Sequence, residues 1–373
     1  MSKVAIAKNV DAATRMRQAI DLIGGPSALV KPGQRVVIKV NGAGTEDWSD
    51  AKGVRPEVVR GLVRALKEAQ PREIVVTDGH HRIPALYGEL ADEATVFDSS
   101  ADEVVRVEDP NAYIHRVTWL PRVYLEADVL ISLAIQKTHM QGTVTLALKN
   151  FVGAWPERRS REALHQTNLY QGLIDTIMLL KPAAGVIDSG PAMEGFGPGN
   201  GTPLSHNLTI ASKDLVAADT VGCLTMGIDP MTVNHIRHGA ERGLGVADLA
   251  RIEVVGERIE NVRRQYAEPP RTMEAFAPQV KTCVAGPCDE RYACLTAIIG
   301  GLELVRMEGK LDRIKDLTVV AGPYGEAPVG TKGTVIHVGN CQARYASTGR
   351  YLCGCPPCFS FGRQWLGLLY DLR

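Results

Sequence analysis

The stretch RVVIKV, from Arg35 to Val40, is a short apolar run rich in β-branched residues, and the polar loop NGAGTED follows it at once. Similar runs recur along the chain: EIVVTD (73–78), ADVLISLA (127–134), AGVIDS (184–189), NLTIAS (207–212) and RIEVVG (251–256). Near-continuous apolar runs of this length are typical of parallel strands that are buried on both faces. These runs therefore predict the strands of one covered sheet.

Longer amphipathic stretches separate the predicted strands. RPEVVRGLVRALKEAQ (55–70) has apolar residues at helical spacing and Pro56 near its start, where helices tolerate proline. DLVAADTVGCLTMG (214–227) opens on Asp214 as an acidic cap and also has a helical pattern. This alternation predicts an α/β fold, with a mostly parallel sheet flanked by helices.

Prolines and polar residues cluster in YAEPPRTMEAFAPQ (266–279), and the strand–helix rhythm stops there. We therefore expect an α/β core over residues 1–265 and a smaller C-terminal, cysteine-rich α/β region over residues 280–373. The second region contains every cysteine except Cys223, together with two further strand-like runs, DLTVVAG (316–322) and GTVIHVG (333–339).

Composition limits the classes of function. The 373 residues are 45% hydrophobic and 23% charged, as in ordinary globular proteins, and the 42 basic side chains equal the 42 acidic ones. With no net charge, we expect neither nucleic acid nor a membrane as a partner.

The N-terminal MSKVAIAKNV lacks the pattern of a secretory signal, so we expect a cytoplasmic protein. In a reducing compartment, eight cysteines indicate thiols or metal ligands before disulfides.

Polar and reactive side chains lie close to the ends of the predicted strands. The carboxyl ends of parallel strands meet at one edge of a sheet, which is where α/β proteins bind ligands. We expect a pocket there for proton transfer and for binding a small anion. Its candidate catalytic residues are Asp78, His81, Lys137, His139, Lys149, Asp188 and Glu194.

The segment GNCQARYASTGRYLCGCPPC (339–358) brings four cysteines close together in the sequence. Irregular backbone rich in glycine and proline suits an iron–sulfur cluster, whose thiolate ligands come from separated segments. We expect a site, of the 4Fe–4S type, with Cys341 and Cys355 as ligands, joined by Cys288 and by Cys283 or Cys358. Zinc, a thioredoxin-like dithiol at CPPC and buried structural cysteines remain alternatives.

Five separated motifs carry a resemblance to a known family. They are VVIKVN, QKTH…GTVTLALKN, VIDSGPAMEGFGPGNGTP, ASKDLVAADTVG and GLGVADLARIEVVG, and over residues 3–260 they resemble the domain of unknown function 362 family. That family is largely uncharacterised and is associated with iron–sulfur clusters. This chain departs from many members because it has no C-x2-C-x2-C-x3-C-P run.

The layout of GHHR and KTHMQGTVTLALK is also similar to the lactate racemase N-terminal family, whose histidines and lysine hold a nickel-pincer cofactor. That likeness implies His81, His139 and Lys149 as the corresponding positions. The segment GCPP (354–357) resembles a cluster-binding segment in small subunits of nickel hydrogenases.

Together these features predict an iron–sulfur oxidoreductase or electron-transfer enzyme that acts on a small anionic substrate. One alternative is a non-redox racemase, epimerase or lyase of hydroxy acids that uses a metal such as nickel or a pincer-type cofactor. Another is a zinc-stabilised binding protein. The expected partner is a small-molecule substrate, and an electron-donor protein and a homodimer are possible partners.

Overall fold

The computed structural model describes residues 1–43, 47–79, 82–156, 158–286 and 291–372. The chain divides into two compact units. The first unit consists of Met1–Thr138, Val144–Arg161 and Tyr170–Ala267. The second unit consists of His139–Thr143, Glu162–Leu169 and Glu268–Arg373.

The strands of the described residues alternate with helices over most of the chain. Those before residue 260 are β1 (Ser2–Lys8), β2 (Arg35–Val40), β3 (Glu73–Asp78), β4 (Thr95–Asp98), β5 (Val104–Glu108), β6 (Val117–Pro121), β7 (Val129–His139), β8 (Thr143–Thr145), β9 (Ala184–Glu194), β10 (Thr202–Leu204), β11 (Leu208–Ser212) and β12 (Ile252–Gly256). The later strands are β13 (Lys281–Val284), β14 (Leu317–Ala321), β15 (Thr334–Val338) and β16 (Tyr351–Leu352).

The α-helices range from single turns to 17 residues. They are α1 (Ala12–Leu22), α2 (Pro56–Lys67), α3 (Ile83–Tyr87), α4 (Arg122–Leu125), α5 (Arg158–Gln166), α6 (Leu169–Leu180), α7 (Leu215–Thr225), α8 (Asn234–Glu241), α9 (Ile259–Val262), α10 (Met273–Phe276), α11 (Arg291–Met307) and α12 (Phe359–Leu369). None of the described helices is both long enough and apolar enough to cross a membrane.

The first unit is built on a large, mostly parallel sheet with the strand order β12-β1-β11-β9-β7-β2-β3-β4. Strands β9, β7, β2, β3 and β4 pair parallel to one another, and β12 pairs parallel to β1. Strand β11 is antiparallel to both of its neighbours, β1 and β9. The short strands β10 and β8 pair with β9 and β7, and β5 and β6 form a separate antiparallel pair.

Apolar side chains cover both faces of this sheet. Along β2, Val37 belongs to one core cluster, whereas Val36 and Ile38 belong to the other, as the alternation of a strand requires. Buried residues of α1 and α2 complete the second cluster, and those of α6, α7 and α8 complete the first. The near-continuous apolar strands are thus explained by helices on both faces.

The carboxyl ends of β2 and β3 lie side by side, and β7 continues beyond them. Val40, the last residue of β2, pairs with Leu133, while β7 runs on to His139. This arrangement places the residues that follow β2 and β3 beside the second half of β7.

The second unit has its own parallel sheet, with the order β13-β14-β15-β16. Helices α11 and α12 pack against each other in this unit. Since all four strands are parallel, their carboxyl ends lie at one edge. We call the loops that follow these ends the cysteine edge, comprising residues 285–286, 322–325, 339–341 and 353–358 of the described chain.

The predicted fold class is confirmed: a mostly parallel sheet flanked by helices is joined to a smaller C-terminal α/β region. The predicted strands at 35–40 and 73–78 match β2 and β3 at both ends. Asp214 caps α7, because its side chain accepts the N–H of Ala217 at 3.0 Å. The sequence reasoning missed β1 and did not foresee that β11 runs antiparallel.

Candidate functional site

Asp78, the last residue of β3, forms a buried ion pair with Lys39 of β2. Its Oδ1 lies 2.7 Å from Lys39 Nζ, and the two side chains are 7% and 1% exposed. The same carboxylate accepts the backbone N–H groups of Gly42 and Gly79, each at 2.8 Å. Asp78 therefore joins the loops that follow β2 and β3. Burial lowers the pKa of Lys39, and the charge of Asp78 opposes that shift.

Asn150 completes the surroundings of Lys39. Lys39 Nζ donates to Asn150 Oδ1 at 3.0 Å, and Asn150 Nδ2 donates to the carbonyl oxygen of Lys39 at 2.9 Å and to Ser132 Oγ at 3.0 Å. A β-carbon on Gly153 would lie only 2.6 Å from Lys39 Nζ. The group is thus closely packed as well as hydrogen-bonded.

Asp219 of α7 holds the turn that leads to Lys149. Its two carboxylate oxygens accept the N–H groups of Ala147 at 2.8 Å and Leu148 at 3.0 Å. Asp219 is fully buried, and this burial raises its pKa to about 8. Lys149 then begins a 3₁₀ helix (Lys149–Ala154) and is itself buried. A buried acid fixes the position of this lysine through the backbone.

Lys137 of β7 is also buried, with 1% of its surface exposed. Its Nζ donates to the carbonyl oxygens of Lys52 at 2.6 Å and Pro198 at 3.3 Å. Burial lowers the pKa of Lys137 to about 7, and the positive charge of Lys149 acts in the same direction, against the opposing charges of Asp50 and Asp78. An amine with this pKa can both accept and donate a proton near neutral pH. We call Lys39, Asp78, Lys137, Lys149 and Asn150 the lysine site.

Two predicted carboxylates of β9 have other partners. Asp188 Oδ1 accepts from Arg15 Nη2 at 2.8 Å and from Arg15 Nε at 2.9 Å, and Asp188 Oδ2 accepts the N–H of Gly190 at 3.1 Å. Burial raises the pKa of Asp188, which the charge of Arg15 opposes. Glu194 Oε2 accepts the N–H of Ala267 at 2.9 Å. Asp188 is thus bonded to α1, and Glu194 is bonded to the last residue of the first unit. The catalytic roles of both carboxylates stay predictions.

The two predicted histidines are placed differently. His81 lies outside the described residues. His139 ends β7, belongs to the second unit and is 6% exposed. Its Nδ1 accepts the N–H groups of Gln141 at 3.1 Å and Gly142 at 3.2 Å. These two bonds hold Nδ1 without a proton and orient the ring.

Cys341 and Cys294 come together at the cysteine edge. A β-carbon on Gly339, the residue after β15, would lie 3.2 Å from Cys294 Sγ and 3.6 Å from Cys341 Sγ. The loops after β15 and β16 are joined here, because Gly339 N–H donates to Leu352 O at 2.9 Å and Asn340 N–H donates to Gly354 O at 3.0 Å. Neither the spacing of the cysteines nor any motif had placed Cys294 in the predicted ligand set.

The other predicted ligands lie around the same edge or beside it. Cys355 is fixed through its backbone, since its N–H donates to His165 O at 2.6 Å and its carbonyl accepts from Leu169 N–H at 3.0 Å. Cys358 precedes α12, and its sulfur lies 2.9 Å from Ser360 Oγ. Cys283 lies within β13 rather than in the loop after it. Cys288 is outside the described residues.

Soft thiolate donors and an open glycine position fit an iron–sulfur centre, since a side chain at Gly339 would fill the space beside both sulfurs. The described part of the chain nevertheless brings no three His, Cys, Asp or Glu side chains into one group that could hold a metal ion. The described residues thus bring two sulfur atoms, those of Cys294 and Cys341, close to Gly339.

These features define a two-unit α/β protein with buried lysines in one unit and clustered cysteines in the other. The chain belongs to the family described as Domain of unknown function (DUF362), whose model matches residues 36–224, about half of its length. The predicted family is thereby confirmed.

A thylakoid-associated protein of Synechocystis sp. is 26% identical over 234 residues, a match that covers 58% of this chain and 71% of that protein. Two solved structures are also similar. The lactate racemase apoprotein from Thermoanaerobacterium thermosaccharolyticum has a TM-score of 0.40 and 14% identity, with 61% of this chain and 57% of that one covered. A Thermotoga maritima protein has a TM-score of 0.32 and 12% identity, with 58% and 59% covered. Both TM-scores are low, so the family assignment stands on the sequence match.

Proposed function

We propose that this protein is an iron–sulfur oxidoreductase that acts on a small anionic substrate. The observation that carries the proposal is the position of the cysteines in the second unit. Adjacent parallel strands β15 and β16 end at one edge, and the loops that follow them contain Cys341, Cys353 and Cys355. Thiolates supplied by neighbouring loops of irregular backbone are the donors that such clusters use.

The backbone of this edge suits a cluster for a second reason. Gly354 has a φ of +139°, and the two residues after Cys355 are prolines, so the segment is irregular. A bound cluster would supply single electrons to the reaction, and the cysteine edge would hold it.

The lysine site supports the assignment of an anionic substrate. Lys39 is already paired with Asp78 and Asn150, whereas Lys137 Nζ donates to two backbone carbonyls. In our proposal, Lys137 moves a proton to or from the substrate, and Lys149 contributes positive charge that attracts an anion. Asp219 positions Lys149 through the turn that it holds, and Asp78 holds Lys39 and the loop at Gly42.

The first test is the iron and sulfide content of protein purified without oxygen, together with its visible spectrum. We expect about four irons and four sulfides per chain and an absorption band at ~400 nm that bleaches on reduction. Cys341→Ser should lose this band. Cys223→Ser is the matched control, since Cys223 is buried among apolar residues of α7, and it should keep the band. Wild-type protein without iron and sulfide would refute the redox proposal.

A second candidate is a non-redox racemase, epimerase or lyase of hydroxy acids. The pKa of Lys137, near 7, favours this candidate. Proton transfer to and from carbon requires a general acid or base with such a pKa and does not require a redox centre. Exchange of a carbon-bound hydrogen of a hydroxy acid in D2O, catalysed by iron-free protein and abolished in Lys137→Met, would support it. Zinc in place of iron would instead favour a zinc-stabilised binding protein.

We also propose a cytosolic location, which fits cysteines kept as thiols or thiolates.

A further inference from the structure

We infer that Cys294 pairs with Cys341 as a thiolate ligand of the cluster, and that Cys283 is not a ligand. This inference rests on the proposed function and names two ligands of the same centre. Sequence spacing favoured Cys283, which precedes Cys288 by five residues, whereas Cys294 lies farther along in a helix.

The first argument is the position of the two sulfur atoms. Cys294 Sγ and Cys341 Sγ lie 3.2 and 3.6 Å from the point that a β-carbon on Gly339 would occupy. They reach this point from different elements, α11 and the 3₁₀ helix Asn340–Thr348 that follows β15. Thiolates from separated segments that meet at one place are what cluster ligation requires.

The second argument is the setting of Cys294. It lies in the first turn of α11, a helix of 17 residues, and only 5% of its surface is exposed. The amino end of a helix carries partial positive charge, which would stabilise the negative charge of a thiolate-ligated cluster bound there.

The third argument is that strand register sets Cys283 apart from the sulfur pair. Cys283 pairs with Val320 of β14, and Val320 pairs with His337 of β15. Cys283 is therefore two strand spacings, about 10 Å, from β15. His337 is also two residues before Gly339, so the Cys283 backbone lies below the edge where the two sulfurs meet.

Gly339 offers a test that leaves every cysteine in place. Its φ is +98°, and a side chain there would meet both sulfur atoms. Gly349 is the matched control, because its φ is +67° and a β-carbon on it would meet nothing within 4 Å. Both substitutions to alanine strain the backbone, but only Gly339→Ala places a methyl group within 4 Å of the two sulfur atoms.

The experiment measures iron, sulfide and the electron paramagnetic resonance signal of reduced full-length protein. Cys294→Ala and Gly339→Ala should lose most of the iron and the signal, while Cys283→Ala and Gly349→Ala should keep both. Iron-loaded wild type with an undiminished cluster in Cys294→Ala would overturn the ligand assignment and leave the proposed function intact. Wild type without iron and sulfide would overturn both.

Alkylation of wild-type protein covers the case in which Cys294→Ala fails to fold. In a urea concentration that exposes buried thiols, mass spectrometry should find Cys294 protected from iodoacetamide in the iron-loaded protein and labelled after the iron is removed by a chelator. Equal labelling of Cys294 before and after iron removal would contradict its role as a ligand.

Discussion

Lys39 Nζ and Asp78 Oδ1 lie 2.7 Å apart at the carboxyl ends of β2 and β3, with both side chains almost fully buried. A charge in such a place is tolerated because its partner and further hydrogen bonds replace water. Asp78 accepts two backbone N–H groups, and Lys39 donates to Asn150 and to the carbonyl oxygen of Val40. The pair therefore fixes the loops around the lysine site.

Removing one partner of this pair should strongly destabilise the first unit. In Asp78→Asn, Lys39 stays buried without its counter-charge, and the expected loss of unfolding free energy is about 3–5 kcal/mol. Urea unfolding at neutral pH measures it. Glu68→Gln is the control, since it removes the partner of Arg17 in an ion pair whose side chains are about half exposed. Asp78→Asn and Glu68→Gln variants of equal stability would contradict the structural role of the buried pair.

The close packing around Lys39 gives a second prediction. In Gly153→Ala the new methyl group would lie 2.6 Å from Lys39 Nζ and would also clash with Asp78. We expect a loss of about 1–3 kcal/mol in unfolding free energy, as for overpacked cores.

Gly88→Ala is the matched control for Gly153→Ala. Gly88 has a φ of −57°, and a β-carbon on it would meet nothing within 4 Å. This variant should be as stable as wild type or slightly more stable, because alanine restricts the unfolded chain. If chemical denaturation gives Gly153→Ala the higher free energy of unfolding, the packing around Lys39 has room for a methyl group.

The strands could be predicted from sequence where local pattern suffices. RVVIKV matches β2 because its apolar residues are covered on both faces by helices of the same unit. Strand β7, in contrast, was predicted to end at Ala134 and continues to His139. Its polar residue Gln136 is satisfied by Gly222 O at 3.0 Å and Thr225 Oγ1 at 2.8 Å, and no local pattern reveals partners so distant in sequence.

The candidate site could be predicted only in part for the same reason. Asp78, Lys137 and Lys149 were found because they are near predicted strand ends or apolar runs. Lys39 was missed, although the sequence contains a signal for it. A lysine within the apolar run RVVIKV is buried, and a buried charge needs a partner. Asp219 was missed because its role depends on backbone N–H groups 71 and 72 residues away.

Lys137 should make stability depend on alkaline pH. Its pKa falls from 10.5 to about 7 on folding, so between these values the unfolded chain binds the proton that the folded chain lacks. Folding is then favoured as pH rises, and wild type should gain about 2 kcal/mol relative to Lys137→Met between pH 7 and pH 9. Unfolding free energies at both pH values measure this gain.

The control for the lysine titration is Lys213→Met, which removes the positive charge of an exposed lysine and so accounts for the change in net charge. It should follow the wild-type pH dependence. If Lys137→Met also follows it, Lys137 keeps an ordinary pKa and is not suited to proton transfer at neutral pH.

His235 of α8 should make stability depend on acidic pH. It is fully buried, its ring stacks on Tyr170 with centroids 6.2 Å apart, and the structure gives neither ring nitrogen a hydrogen-bond partner among the described residues. Burial, with the charges of Lys149 and His238, lowers its pKa to about 3. Between pH 6.5 and pH 3 the unfolded chain therefore binds a proton that the folded chain lacks. The free energy of unfolding decreases as the pH is lowered through this range.

His235→Phe keeps the ring and removes this titration. Wild type should lose about 2 kcal/mol relative to His235→Phe between pH 7 and pH 5, and the variant should be at least as stable at pH 7. His206→Phe is the matched control, because the buried ring of His206 bonds to Tyr266 Oη at 2.9 Å and to Val262 O at 2.6 Å, and this variant should be destabilised at pH 7. If His235→Phe is instead less stable than His206→Phe at pH 7, the imidazole of His235 makes a polar contact that stabilises the folded protein.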